Sequence, residues 1–153
     1  MPELHPSLAD HGLRVIEHGL DAPLDADVVP LSCDVIEGDA AAVLFAHEDA
    51  LEWVVYEYDH DWRSLGLTAI RVADTPLRGE GAQVEIRHDS SERSRIRGWG
   101  LRGRHLVHVR ILRTHRIARL RVAARTVVAL RGWAIVVWRG RQAPAISASG
   151  PQQ

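Results

Sequence analysis

The chain has 153 residues, 46% of them hydrophobic and 25% charged, which is the composition of one soluble domain with its own apolar core. The single cysteine, Cys33, excludes an intrachain disulfide, and the longest apolar run, near Ala40–Ala46, is far shorter than the roughly 20 residues of a transmembrane helix. The formal net charge is −1, the first residues lack the basic region of a secretory signal, and we expect a cytoplasmic protein with no membrane contact.

The charges are segregated along the chain. Residues 1–62 contain fifteen carboxylates and a single arginine, Arg14, whereas residues 93–153 contain fourteen arginines and no carboxylate. Residues 63–92 are mixed, with four arginines and five acids. Lysine and asparagine, which have A-rich codons, are both absent. This absence indicates a GC-rich genome, so the placement of the arginines is more informative than the choice of arginine over lysine.

The first part of the chain, residues 1–30, is polar and interrupted by Pro and Gly, and we expect it to pack on the domain that follows. Ser7 is a favourable N-cap and predicts a short helix that stops at Gly12. Leu13–Glu17 fits either a first strand or a continued helix. Asp21–Pro30 is predicted to be a loop.

From residue 31 the pattern is that of strands. Leu31–Glu37 and Ala40–Ala46 flank a Gly38-Asp39 turn and predict a hairpin. Glu52–Trp62 is predicted to be one strand that is buried on both faces at its start and enters water at its end, because its odd positions change from apolar to acidic. Two more strands are predicted before the basic half, at Leu67–Ala73 and Gln83–His88.

The basic half continues with strands and ends in a tail. Trp133–Trp138 is apolar at every position, which predicts a central strand covered on both faces. The segment 142–153, rich in Ala, Ser, Pro and Gln, is predicted to be flexible. The other predicted strands are Arg93–Arg97, Arg104–Leu112, His115–Ala123 and Arg125–Leu130.

The fold class predicted from these elements is all-β and mainly antiparallel. We expect residues 31–141 to form a β-sandwich or a small β-barrel of about nine or ten short strands, with at most a short N-terminal helix. A parallel α/β fold is disfavoured because the crossover helices that it needs are absent.

Arginines spaced by two along predicted strands would project to one side and form rows of guanidinium groups. Three interpretations remain open: pairing with carboxylates of the same chain such as Glu57, Asp59, Asp61 or Asp49, charge-guided assembly with copies or partners, and nucleic-acid binding. The equal and opposite charges disfavour nucleic acid, since such binders normally carry net positive charge. The candidate binding residues are Arg95, Arg97, Trp99, Arg102, Arg104, Arg119 and Arg121.

Asp59, His60 and Asp61 form the candidate for catalysis, in a small β-barrel enzyme or a ligand binder. Glu57, Asp59 and Asp61 would share a strand face and offer oxygen ligands to a hard cation. A solvated strand end that faces arginines explains the same residues without any chemistry. The histidines lack zinc-type spacing, and nothing in the sequence places a base beside Cys33.

The leading functional hypothesis is therefore a non-enzymatic β domain that binds or self-assembles through its arginine-rich sheet face and its acidic half. No cofactor is expected, because the sequence has no phosphate-binding loop, no dinucleotide fingerprint and no Gly-x-Ser-x-Gly motif. The small enzyme or ligand binder and the nucleic-acid-binding module remain as alternatives.

Overall fold

The computed structural model describes residues 7–24, 27–72, 83–96 and 104–148. All strand pairs in this part of the chain are antiparallel, which confirms the predicted all-β class with one short N-terminal helix. The elements are α1 (Leu8–His18), β1 (Val29–Ile36), β2 (Ala40–His47), β3 (Ala50–Tyr58), β4 (Trp62–Arg71), β5 (Gln83–Arg93), β6 (Leu106–His115), β7 (Arg119–Val122), β8 (Arg125–Val128), β9 (Trp133–Arg139) and β10 (Ile146–Ala148).

The strands form three sheets, and none of them closes into a barrel within the described residues. Sheet 1 has the order β1-β2-β3-β4, sheet 2 the order β5-β6-β9, and sheet 3 the order β10-β7-β8. Sheets 1 and 2 pack face to face around an apolar core that includes Leu44, Trp53, Ile111 and Ile135. The sandwich alternative of the sequence prediction therefore describes these two sheets.

Two further layers cover the outer faces of the sandwich. Helix α1 places Val15 against Val43 and Phe45 on the outer face of sheet 1. Sheet 3 places Leu120 and residues near it against Leu112, Ala134 and Val136 on the outer face of sheet 2. The order of layers is thus α1, sheet 1, sheet 2, sheet 3, and β9 is covered on both faces as its all-apolar sequence predicted.

Helix α1 begins at the predicted N-cap but does not stop at Gly12. The Ser7 hydroxyl accepts a hydrogen bond from the Asp10 amide at 3.2 Å, and the Asp10 carboxylate accepts one from the Ser7 amide at 3.2 Å, a reciprocal capping box. The helix continues to His18 and ends at Gly19, whose φ is +89°. Gly12 lies inside the helix. The Tyr56 hydroxyl occupies the space that a side chain at residue 12 would fill, which explains why this residue is a glycine.

The prediction of one strand over Glu52–Trp62 is wrong, because the chain reverses between β3 and β4. His60 has a φ of +64°, and the Asp61 carboxylate accepts a hydrogen bond from the Trp62 amide at 2.8 Å. Tyr58 and Trp62 are therefore cross-strand partners rather than residues of one strand, with their rings 5.2 Å apart in an edge-to-face contact.

Strand boundaries in the basic half also differ from the prediction. Strand β6 continues through His115, so the strand predicted to start at His115 begins only at Arg119. Strand β5 continues to Arg93, after which Ser94–Ile96 is not in a strand, and Arg97 lies outside the described residues. The predicted flexible tail contains β10, whose three residues pair with β7, and residues 149–153 are outside the described part. The one helix in the described ranges, 11 residues long, is too short and too polar to cross a bilayer.

Candidate functional site

Side chains of β1 accept hydrogen bonds from backbone amides at the edge of β9 that faces away from β6. The Ile135 amide donates a hydrogen bond to the Ser32 hydroxyl at 3.1 Å, and the Val137 amide donates one to the Asp34 carboxylate at 2.8 Å. The Ser32 hydroxyl also donates to the carbonyl of Val128 at 2.8 Å, which ties β8 to the same junction. Side chains thus replace the backbone ladder that a neighbouring strand would provide.

Arg125 completes this junction from β8. Its guanidinium donates two hydrogen bonds to the Asp34 carboxylate, at 2.6 and 2.8 Å, and one to the Val137 carbonyl at 2.8 Å. The Asp34 side chain is only 1% exposed, so the charge needs this bidentate partner. An acid of the first half and an arginine of the second therefore close the β1–β9 junction.

A second ionic network crosses the sandwich at the end of β3. Arg139 donates to the Glu57 carboxylate at 3.2 Å and to the Asp39 carboxylate at 2.7 Å, and its side chain is 1% exposed. The Ser94 hydroxyl and the Arg95 amide also donate to Glu57, at 2.6 and 2.8 Å. Glu57, predicted at a solvated strand end, is buried with its charge neutralised and its oxygens satisfied.

The predicted arginine row is divided among different environments. Arg104 donates to Asp39 at 3.3 Å, and the side chain of Arg95 is exposed. Arg119 and Arg121 are exposed together on β7. Arg97, Trp99 and Arg102 lie outside the described residues.

Asp59, His60 and Asp61 lie in the turn between β3 and β4. His60 Nε2 is 3.8 Å from an Asp59 carboxylate oxygen, and the His60 side chain is 97% exposed. Asp61 accepts a hydrogen bond from the Trp62 amide, as the turn requires. Glu57 is bound to Arg139 instead, and no group of three potential metal-ligating side chains occurs within the described ranges. Asp61 thus has a structural role in this turn.

The outer face of sheet 3 is basic. Alternation along β7 buries Leu120 and Val122 and exposes Arg119 and Arg121. Arg121 lies between Thr126 of β8 and Ser147 of β10, which are also exposed. The three strands contain no Asp or Glu, and neither exposed arginine makes an ion pair within the described chain.

The charge that is left after internal pairing remains divided between the two halves of the chain, and Asp10 and Glu17 of α1 are exposed on the layer opposite sheet 3. In the described ranges, residues 7–72 carry 13 carboxylates and three arginines, and residues 83–148 carry 13 arginines and three carboxylates. The ion pairs described above join three carboxylates of the first half to three arginines of the second half. Ten carboxylates of the first half and ten arginines of the second half remain outside these pairs. Eight of those ten carboxylates and seven of those ten arginines are exposed. Internal pairing therefore neutralises the buried charges, while most of the segregated charge stays on the surface.

The outer face of sheet 2 carries a cluster of side chains that the sequence pattern does not predict. Arg110 donates to both oxygens of Asp89, at 2.9 and 3.1 Å, and its guanidinium lies 5.2 Å from the Trp138 ring centroid. His108 stacks on Trp138 with ring centroids 5.3 Å apart. Burial lowers the pKa of His108, opposed by Asp89 and reinforced by His105. Only the cross-strand register, which the sequence does not contain, brings these residues together.

The surroundings of Cys33 disfavour its thiolate form. Burial, with a contribution from the neighbouring Asp34, raises the pKa of its thiol to about 12. The side chain packs with the cluster beneath α1 as a small apolar group.

Comparison with protein-family models, curated proteins and solved structures finds no match for this chain.

Proposed function

We propose that the protein is a non-enzymatic β domain that acts by binding and self-assembly through oppositely charged outer layers. The observation that carries the proposal is the outer face of sheet 3, where Arg119 and Arg121 stand exposed and without ion pairs in the described chain, on strands that contain no carboxylate. The complementary surface is the acidic layer of α1 and the connections of sheet 1, where Glu17 on α1, Asp21 after α1 and Glu37 in the β1–β2 turn are exposed.

A protein surface fits this face better than a nucleic acid does. Binding of single strands without sequence preference combines positive charge with aromatic side chains on which bases stack. The strands of sheet 3 contain no aromatic residue, and the chain as a whole has a net charge of −1. These features favour an acidic protein surface as the partner, and a second copy of the chain carries one.

Contact between the basic layer of one copy and the acidic layer of the next is heterologous and closes into a ring or continues as a filament. An exposed ion pair contributes only about 0.2–1 kcal/mol, so several pairs must form together. Because the Debye length falls from about 10 Å at 0.1 M to about 3 Å at 1 M salt, the assembly should weaken steeply as salt is added.

Sedimentation velocity at several protein concentrations, from about 20 mM to about 1 M salt, tests the proposal. We expect larger species at low salt and their loss at high salt. The Arg119→Gln/Arg121→Gln variant should remain monomeric throughout, because the basic face has lost its charge.

The matched control is Arg63→Gln/Arg71→Gln, which removes two exposed arginines of β4 in sheet 1 and changes the net charge equally. This control should associate at least as well as the wild type, since it makes the acidic layer more acidic. The same oligomeric state at every salt concentration, or equal loss in both variants, would contradict self-assembly through sheet 3.

A further inference from the structure

One end of the sandwich contains a cavity of about 320 Å³, between the β2–β3 turn and the β8–β9 turn. This volume is at the lower end of the range of small-molecule sites. The walls are apolar and come from strands of both sheets of the sandwich and from the residue that follows β4. They consist of Leu31, Ala46, Ala50, Leu51, Val72 and Trp133.

Trp133 forms a fixed wall of this cavity. The guanidinium of Arg113 lies 4.8 Å from the centroid of its ring and donates a hydrogen bond to the Arg131 carbonyl at 3.4 Å. The Trp133 amide donates to the Leu130 carbonyl at 3.1 Å and closes the turn. The indole is therefore held in place without a ligand.

The rim of the cavity carries charges of both signs at separate positions. Glu48 and Asp49 lie on the β2–β3 turn, and Arg131 lies on the β8–β9 turn. All three side chains are exposed, and none of them forms an ion pair in the described part of the chain. Because these carboxylates and this guanidinium do not pair with each other, a molecule bound in the cavity could form ion pairs with both.

The backbone at two of these rim positions is unusual for the residue that occupies it. Glu48 has a φ of +56° and Arg131 a φ of +54°, in the left-handed region that favours Gly or Asn. Long charged side chains are thus presented at two tight turns on either side of the same cavity.

We infer that this cavity binds a small zwitterion with an apolar side chain, of the chemical class of a free apolar amino acid. Its ammonium group would pair with Glu48 and Asp49, its carboxylate with Arg131, and its side chain would lie against Leu51 and Trp133. The site is separate from the basic face of sheet 3 and does not depend on self-assembly.

Titration with L-phenylalanine, followed by amide and indole NMR signals at about 0.15 M salt, tests the inference. We expect saturable shifts centred on Ala50, Leu51 and the Trp133 indole. Phenethylamine, which lacks the carboxylate, and 3-phenylpropionate, which lacks the ammonium group, should each bind more weakly.

Charge-removing variants assign each pair. Arg131→Gln should weaken phenylalanine binding about fivefold and leave phenethylamine binding unchanged, as expected for loss of one partly exposed ion pair. Glu48→Gln/Asp49→Asn should weaken phenylalanine and phenethylamine and spare 3-phenylpropionate. Arg63→Gln and Glu37→Gln, which alter exposed charges away from the cavity, serve as controls with wild-type affinity. Absence of saturable shifts, or an affinity for phenylalanine that Arg131→Gln does not change, would overturn the inference.

Discussion

Gly12 shows how a tertiary contact decides the role of a residue. Glycine after a short polar stretch predicts the end of a helix, yet α1 continues through it. The reason lies on β3, because a Cβ atom at residue 12 would stand 2.0 Å from the Tyr56 hydroxyl oxygen. That hydroxyl donates a 2.6 Å hydrogen bond to the Ala9 carbonyl. The glycine thus permits the helix to lie directly on sheet 1.

We expect Gly12→Ala to lower the free energy of unfolding by about 1–3 kcal/mol, despite the better helix propensity of alanine, because the new methyl group displaces Tyr56. Urea denaturation measures the change. In a Tyr56→Phe background the same substitution should be less harmful, because the oxygen is gone and only ring carbons, the nearest 2.9 Å from the new Cβ, remain to be displaced. Equal destabilisation in both backgrounds would argue against the contact as the cause.

At the scale of elements, the sequence predicts strands better than it predicts their connections. Two apolar runs around Gly38-Asp39 identify the β1–β2 hairpin correctly. The turn between β3 and β4 contains no glycine or proline and depends on Asp61 and on the positive φ of His60. Alternation simply continues through such a turn, so the pattern alone predicts one long strand over Glu52–Trp62.

Buried polar residues of the junctions leave a weaker signal in the sequence. Ser32 and Asp34 interrupt an apolar strand at two positions that face the same side of the sheet. Arg139 lies on the same side of β9 as Ile135 and Val137. Such placement indicates a polar contact inside the fold. Which acid meets which arginine depends on the packing of two sheets, and the spacing of the arginines could not show it.

We expect Asp34→Asn to destabilise the protein by on the order of 3 kcal/mol, because the guanidinium of Arg125 loses its buried partner and an amide donor now faces it. Urea denaturation gives the loss, and hydrogen exchange at the Val137 amide should accelerate. Adding Arg125→Met should cost little more, since both residues act in one network. Glu37→Gln, at an exposed turn of the same hairpin, should change stability by less than about 0.5 kcal/mol.

At the scale of the molecule, the charge asymmetry visible in the sequence is divided into two parts. Asp34, Asp39 and Glu57 pair with arginines across the core, which is the internal pairing considered from sequence. The exposed remainder includes Arg119 and Arg121 on the outer face of sheet 3 and Asp10 and Glu17 on α1, which lie at opposite ends of the stack, while other exposed charges lie in the turns between strands. The totals can be read from the sequence, but where each sign meets solvent depends on how the elements pack.

We expect the wild-type protein, although nearly neutral, to be retained at low salt by both cation-exchange and anion-exchange resins, because each resin can bind one face. Arg119→Gln/Arg121→Gln should elute from the cation exchanger at clearly lower salt than Arg63→Gln/Arg71→Gln does. Chromatography on matched gradients provides the measurement. Identical elution of the two variants would indicate that net charge, rather than the sheet 3 face, controls retention.

The covered edge of β9 has a consequence for solubility. A long apolar strand at a sheet edge is a template for strand addition and hence for aggregation. Here Ser32, Asp34 and Arg125 already occupy backbone groups that an incoming strand would need. A second chain could bind this edge only by expelling a buried carboxylate, so this apolar strand is protected from amyloid-like growth.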